Sequence, residues 1–159
     1  MTHLSLASRL ATGCGALALT AALCLMLLQG TGPTPAFAEA NAVTFPPLDQ
    51  LEHYTTVTRG ITREHMLTSQ AALDAIKAGQ SVPVGTQVVL VDYQSDVLTR
   101  YLVSQKLGEG IDDWGYQWFW PDETIRADVN TGQCYACHQR SRQDSQFMFT
   151  HEDAVAFEP

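Results

Sequence analysis

The chain has 159 residues, of which 45% are hydrophobic and 16% charged, and its formal net charge is −8. This length suffices for one domain with a substantial hydrophobic core. The negative charge argues against nucleic acids and anionic membrane surfaces as partners, because both repel an acidic protein.

The first 38 residues have the pattern of a cleaved export signal. A short segment with one positive charge, Arg9, precedes an uncharged apolar run over residues 10–28. Ala36 and Ala38 then satisfy the small-x-small rule for cleavage, which predicts a signal peptide over residues 1–38 and a periplasmic protein. The alternative is a retained N-terminal anchor, since the apolar run is nearly long enough to span a bilayer. After cleavage, no membrane association is expected.

Cleavage would also change the cysteine count. Cys14 and Cys24 would be removed, which leaves Cys134 and Cys137 in a mature chain of 121 residues with a net charge of −9. No other cysteines would remain for disulfides, although the compartment is oxidising. The acidic surface is compatible with a basic redox partner protein, but it is more often simply the surface of a soluble protein.

The mature chain begins with a segment that we expect to be an extended leader, residues 39–52, because Pro46 and Pro47 disfavour regular structure. Residues 49–54 could form a short helix capped by Asp49. Residues 54–61 are rich in Thr and Val, which is compatible with either a strand or a loop. The domain proper is predicted over residues 53–159.

An alanine-rich helix is predicted next, capped by Thr68 or Ser69 and ended by Gly79. The β-branched run over residues 87–93 predicts a buried strand. Residues 98–105 predict a second strand, which we expect to pair with the first in antiparallel orientation.

A third strand is predicted over residues 114–120, where Trp and Tyr alternate with other residues and share one face. Residues 122–133 are polar, and residues 147–150 form a short apolar segment. This order predicts an α+β fold, a mainly antiparallel β-sheet with a few short helices.

The most specific motif is Cys134-Tyr135-Ala136-Cys137-His138, which has the C-x-x-C-H spacing of c-type haem attachment. Two thiols can form thioether bonds to the haem vinyl groups, and the adjacent imidazole can bind the iron from the same turn. The motif predicts one covalent haem c, with His138 as the iron ligand. Export agrees with this prediction, because this attachment takes place outside the cytoplasm.

The two cysteines have three alternative uses. A redox dithiol of the thioredoxin type would need a surrounding βαβ pattern, which is missing. A zinc site would need a second pair of ligands at suitable spacing. A disulfide between residues three apart has poor geometry.

Several stretches in order resemble the cytochrome P-460 family, which includes cytochrome c′-beta. These stretches are Arg63, Lys77-Ala78-Gly79, Pro83-Val84-Gly85-Thr86, Asp113-Trp114-Gly115-Tyr116, Cys134 to Gln139 and Phe147-Met148-Phe149-Thr150. They cover most of residues 57–150, and only the haem motif is specific by itself. The resemblance implies a β-rich fold, often dimeric, with His138 as proximal ligand and an iron that is open on its other side.

Enzymatic members of that family oxidise hydroxylamine, or hydroxylamine with nitric oxide, and carry a lysine bonded to the porphyrin. The matching position here is Leu90, or a neighbouring residue if the register shifts by one, and residues 88–92 contain no lysine. The mature chain has two lysines, Lys77 and Lys106, and neither matches that position. The chain therefore resembles the cytochrome c′-beta type, which lacks the cross-link and binds small gases, and an enzymatic role is disfavoured.

Further residues were candidates for the haem surroundings. Arg63 could hold a propionate or face the distal side, or could be a surface charge. Leu90, if it lies on the distal side, would make that pocket apolar and favour neutral diatomic ligands. The candidates for a sixth iron ligand were His53, His65, His151, Met66 and Met148.

The sequence therefore predicts an exported mono-haem cytochrome whose five-coordinate iron binds small gaseous or nitrogenous ligands such as nitric oxide. Two alternatives stay open. One is an oxidoreductase acting on hydroxylamine, nitric oxide or peroxide, and the other is a six-coordinate electron-transfer cytochrome.

Overall fold

A computed structural model describes residues 43–159, and the predicted signal peptide lies outside the described residues. The described part is an α+β fold built on a five-stranded antiparallel sheet in chain order: β1 Glu52–Arg59, β2 Thr62–Thr68, β3 Gln87–Gln94, β4 Val97–Lys106 and β5 Trp114–Phe119. Three helices accompany it: α1 Gln70–Lys77, α2 Gly132–Arg142 and α3 His151–Ala156. Within residues 43–159, no helix has the length and apolarity needed to cross a bilayer.

The central hairpin confirms the prediction of two paired strands. β3 and β4 are antiparallel and are joined at Ser95 and Asp96, whose φ angles are 50° and 65°. Positive φ at both central residues is characteristic of the type I′ turn, whose twist matches that of the strands it joins. β5 follows on the other side of β4, as the alternating aromatic pattern predicts.

Four elements differ from the sequence predictions: helices α2 and α3 were not predicted, and two differences lie at the start of the sheet. The short helix expected over residues 49–54 is wrong: a single 3-10 turn, Leu48–Gln50, precedes a strand that already begins at Glu52. β2 was not predicted, because polar and charged residues dominate Thr62–Thr68 and leave no hydrophobic alternation to read. Its pairing with both β1 and β3 makes it a strand.

Helix α1 begins and ends as expected. The Ser69 side chain accepts a hydrogen bond of 3.2 Å from the Ala72 amide, which satisfies one of the free donors at the helix start. Leu73 and Ile76 are buried on its inner side. Gly79, with φ of 66°, follows the last turn in the left-handed conformation that glycine adopts most easily.

The sheet has two faces, because successive side chains of a strand point to opposite sides. The back face carries one buried cluster: Val43, Val89, Val91, Tyr101, Val103 and Phe119. Phe45, Leu48 and Leu51 pack against this cluster. The segment predicted as an extended leader is therefore part of the domain from Val43 onward, since it covers the back face.

The front face carries the other cluster, to which the helices contribute. Its members are Tyr54, Leu73, Ile76, Val82, Val88, Leu102, Trp114, Tyr116, Phe147, Met148 and Ala154. The aromatic strand divides as its period of two predicts, with Trp114 and Tyr116 on the front face and Phe119 on the back. The candidate site lies on the front face.

Candidate haem site

Helix α2 brings the three residues of the C-x-x-C-H motif to one side. Cys134, Cys137 and His138 are separated by three and four positions, and residues at those spacings lie on the same face of an α-helix. Cys134 is half-buried, Cys137 is exposed, and both thiols are free. The Asn130 side chain accepts a hydrogen bond of 3.0 Å from the Gly132 amide, just where the helix begins.

The imidazole of His138 is held in one tautomer. Its Nδ1 lies 2.5 Å from the carbonyl oxygen of Phe147. A carbonyl oxygen can only accept, so Nδ1 must carry the proton and donate it. In the neutral ring the other nitrogen, Nε2, then carries no proton and is the atom that can bind a metal.

Packing further restricts the His138 ring. Its centroid lies 4.8 Å from that of Tyr116 and 4.8 Å from that of Phe149, on which it packs edge to face. Burial lowers the pKa of His138, the Phe147 hydrogen bond opposes this effect, and the charge of Arg142 adds to it. The neutral imidazole, which is the ligating form, is thereby favoured.

The Phe147 carbonyl is positioned by a turn after α2. Gln146 and Phe147 have φ angles of 50° and 63°, a conformation that few residues other than glycine adopt. The Gln146 side chain anchors this turn, since it accepts a hydrogen bond from the Val82 amide at 2.9 Å and donates one to the Gln80 carbonyl at 3.0 Å. Sequence reasoning missed this contribution, because the functional atom belongs to the backbone.

A cavity of about 270 Å³ adjoins His138 on the front face. Three strands supply its apolar wall, where Met66, Leu90 and Leu102 sit side by side in the register of β2, β3 and β4. Arg59 and Glu64, which are paired with each other in a salt bridge, also line it. The cavity thus joins an apolar wall, one ion pair and a neutral imidazole.

The structure brings four of the five predicted cofactor-binding residues to this region and leaves one elsewhere. Leu90 and His138 line the same cavity, and Cys134 and Cys137 share the helix of His138. Arg63 does not join them.

Arg63 belongs to the opposite face, which was not apparent because β2 was not recognised as a strand. Its guanidinium lies 5.4 Å from the centre of the Tyr93 ring and forms a 2.9 Å salt bridge with Asp96. Arg59 is the arginine that lines the cavity.

The candidates for a sixth ligand separate in the same way. Met66 and Met148 line the cavity beside His138. His53 and His65 line a different depression, on the back face, and His151 begins helix α3.

Neither lysine of the predicted mature chain lines the cavity. Lys77 ends helix α1, where its ammonium lies 5.8 Å from the Phe157 ring centre. Lys106 is 4% exposed and donates a hydrogen bond to the Gly110 carbonyl. The position matched to the cross-linking lysine, Leu90, is in the cavity, but it offers no amine.

Cys134 lacks the lowered thiol pKa of an activated redox cysteine. Burial raises the pKa of Cys134, an effect that a hydrogen bond with Trp118 only partly offsets. A catalytic dithiol needs a lowered thiol pKa, because the thiolate is the nucleophile.

The donor set therefore has the chemistry that a c-type haem requires: two free thiols and one neutral imidazole on one helix face, next to an apolar cavity. No protein-family model matches the chain, and no curated protein matches it significantly.

Proposed function

We propose that this protein is an exported mono-haem c-type cytochrome that binds small neutral ligands, such as nitric oxide, at a five-coordinate iron. The observation that carries the proposal is His138, which combines the motif position, a donor bond from Nδ1 to the Phe147 carbonyl and a place in the wall of an apolar cavity. Cys134 and Cys137 would hold the haem covalently, and His138 Nε2 would ligate the iron. When bound, the haem supplies a metal with one coordination position left for a ligand.

The residues of the chain account for ligand selection. Val88, Leu90 and Leu102 line the cavity with aliphatic side chains, which cannot stabilise an anion by hydrogen bonding. The Glu64 carboxylate is 13% exposed and is already paired with Arg59, so that arginine is engaged and the carboxylate repels anions. Neutral diatomics are favoured over anionic ligands.

The family that we propose is the cytochrome P-460 family, in its cytochrome c′-beta form. The resemblance places the cross-linking lysine of the enzymatic members at Leu90, and Leu90 lines the cavity that His138 adjoins. This agreement supports the alignment of the chain with the family pattern at Leu90. It also disfavours hydroxylamine oxidation through a cross-linked haem, since Lys77 and Lys106 are both directed to other partners.

One observation favours a second candidate, a six-coordinate electron-transfer cytochrome. Met66 lies next to Leu90 in the strand register and lines the cavity, so its thioether is the best-placed sixth ligand on the sheet. Met148 lines the same cavity from the segment after α2.

An optical titration with nitric oxide separates the two candidates. The exported protein would be recorded in its ferric and ferrous states, before and after the gas, together with Met66→Leu and Met148→Leu. The proposal predicts a high-spin ferrous spectrum that nitric oxide shifts, with no change of spin state in either variant. A low-spin ferrous spectrum that ignores the gas, and that becomes high-spin in one variant, would identify that methionine as a sixth ligand and overturn the proposal.

A further inference from the structure

A pair of histidines on the back face of the sheet is separate from the haem site. His53 belongs to β1 and His65 to β2, and the centres of their rings are 4.8 Å apart. His53 is exposed and His65 is half-buried at the edge of a groove of about 360 Å³. The proposed haem function uses neither residue.

A β-bulge creates the pair. In a regular strand, His53 and Thr56 would point to opposite faces, because they are an odd number of positions apart. The register of β1 shifts between His53 and Thr55, so that His53 lies opposite Leu67 and Thr56 opposite His65. The bulge therefore turns His53 to the same face as His65 and Thr56, a role that bulges often have.

The donor atoms converge at distances suited to one metal ion. His53 Nε2 lies 3.2 Å from His65 Nδ1. The Thr56 hydroxyl oxygen is 2.8 Å from that His53 nitrogen and 3.4 Å from the His65 nitrogen. Two nitrogens bound to one tetrahedral Zn²⁺ ion, at about 2.0–2.1 Å each, would be about 3.3–3.4 Å apart.

We propose that His53 and His65 bind a divalent transition-metal ion such as Zn²⁺, through His53 Nε2 and His65 Nδ1. Among residues 43–159 no third His, Cys, Asp or Glu completes the set, so water, and the Thr56 hydroxyl, would fill the remaining positions. Imidazole nitrogens suit Zn²⁺ and Cu²⁺, whereas Mg²⁺ and Ca²⁺ prefer oxygen ligands.

Charged groups of opposite sign lie near the histidine pair, and they have opposite effects on the binding of a cation. Burial lowers the pKa of His65, and the charges of His53 and then of Arg63 lower it further. The Arg63 guanidinium is paired with Asp96 at 2.9 Å, which offsets part of this repulsion. The Tyr93 ring packs edge to face on His65, at 5.3 Å between centres, and fixes the orientation of that imidazole.

Calorimetric titration of the chelator-treated, haem-containing protein with Zn²⁺ tests the proposal. We expect one Zn²⁺ per chain and a loss of affinity of roughly tenfold or more in His53→Ala and in His65→Ala. A direct ligand should matter at least as much as the outer-shell partners of metal sites, whose loss typically costs about 10- to 100-fold. His151→Ala, which changes a histidine on α3, is the matched control and should bind as the unaltered protein does.

Thermal unfolding gives a second measurement. Saturating Zn²⁺ should raise the Tm of the unaltered protein and of His151→Ala, but not that of His53→Ala, because a ligand that binds only the folded state stabilises it. Circular dichroism and the visible spectrum verify that each variant is folded and loaded. Absence of Zn²⁺ binding in the unaltered protein, or equal affinity in all the variants, would overturn the proposal.

Discussion

The two faces of the sheet are built from alternate residues of the same strands, yet different parts of the chain cover them. On the back face, Val89 and Val103 are fully buried under the segment that begins at Val43. On the front face, Leu90 and Leu102 border a cavity beside helix α2, and no residue of α2 is buried. Around Val89 and Val103 the back face is a packed core, although a groove lined by His53 and His65 opens on the same face. The helix that carries C-x-x-C-H contributes little core of its own.

This contrast explains how a haem would stabilise the protein. Most helical stability in proteins comes from packing of an apolar face, and α2 lacks a buried one. A haem attached to Cys134 and Cys137 would supply the missing apolar surface. The sheet should hold its structure without the cofactor, and α2 should depend on it.

The largest expected effect is at the cavity side of this comparison. His138→Ala should abolish a normal ferrous cytochrome spectrum, because the iron would lose its proximal nitrogen. His151→Ala should leave the spectrum unchanged. A normal ferrous spectrum in His138→Ala would remove His138 from the role assigned to it.

The next largest effect is expected in the back-face core, and it concerns the free energy of unfolding. Phe119 is 2% exposed and packs edge to face on Phe45, with 5.2 Å between ring centres. Phe119→Ala should lower the free energy of unfolding by about 3–5 kcal/mol, as chemical denaturation would measure.

Leu90→Ala is the matched variant on the front face. It should cost less stability than Phe119→Ala, because Leu90 is only half-buried. It should also change ligand-binding rates, because Leu90 lines the cavity beside His138. Equal losses of stability in the two variants would contradict the distinction between the packed core around Phe119 and the cavity wall at Leu90.

A smaller effect concerns pH and the contact between β1 and the start of α3. Burial raises the pKa of Tyr54 to about 12, from an ordinary value of 10.0, although its 2.6 Å hydrogen bond with Thr150 opposes the shift. The unfolded chain loses this proton first as pH rises, so the stabilisation present below about pH 10 is lost between roughly pH 10 and 12. One unit of pKa corresponds to about 1.4 kcal/mol, which gives a loss of about 2–3 kcal/mol.

Other buried tyrosines also titrate at high pH, so the contribution of Tyr54 is obtained by comparing the unaltered protein with Tyr54→Phe. The free energy of unfolding of the unaltered protein, minus that of Tyr54→Phe, should fall by that amount across the window. A difference that stays constant with pH would show that the Tyr54 phenol is not protected from ionisation.

The smallest effect concerns the start of α1, the helix that follows β2 and contributes Leu73 and Ile76 to the front-face core. Ser69→Ala should lower the free energy of unfolding by about 1 kcal/mol, because the Ala72 amide loses its acceptor. Ser69→Asp restores an acceptor and should recover most of the loss. If alanine is tolerated as well as aspartate, the cap contributes nothing to stability.

The strands that the sequence predicts are those with a one-sided or continuous apolar pattern. Residues 87–93 are recognisable because β3 is central and apolar on both faces, and residues 114–120 because the aromatics repeat at period two. β2 was not predicted because its residues are half-buried on both faces and include three charged or polar ones in a row, Arg63, Glu64 and His65. No apolar face is therefore visible in its sequence. Its strand conformation depends on neighbours that are distant in the chain.

The same limit applies to the site. The thiols and His138 form a local motif that the sequence alone identifies, although the helix that carries them, α2, was not predicted. The position of Arg63 depends on the register of β2, and an arginine four residues earlier lines the cavity in its place. The acceptor for His138 is the Phe147 carbonyl, whose direction is set by the φ angles of Gln146 and Phe147. A pattern of side chains in the sequence cannot predict the direction of a backbone carbonyl.

The most direct test of the account is the intact mass of the exported protein under denaturing conditions, with alkylation of free thiols. Covalent attachment through Cys134 and Cys137 predicts a mass increased by one haem and no alkylated cysteine in the mature chain, whereas Cys134→Ser/Cys137→Ser should lose the haem on denaturation. A chain of unmodified mass with two alkylated cysteines, produced in cells that attach haem to other c-type cytochromes, would contradict the central claim.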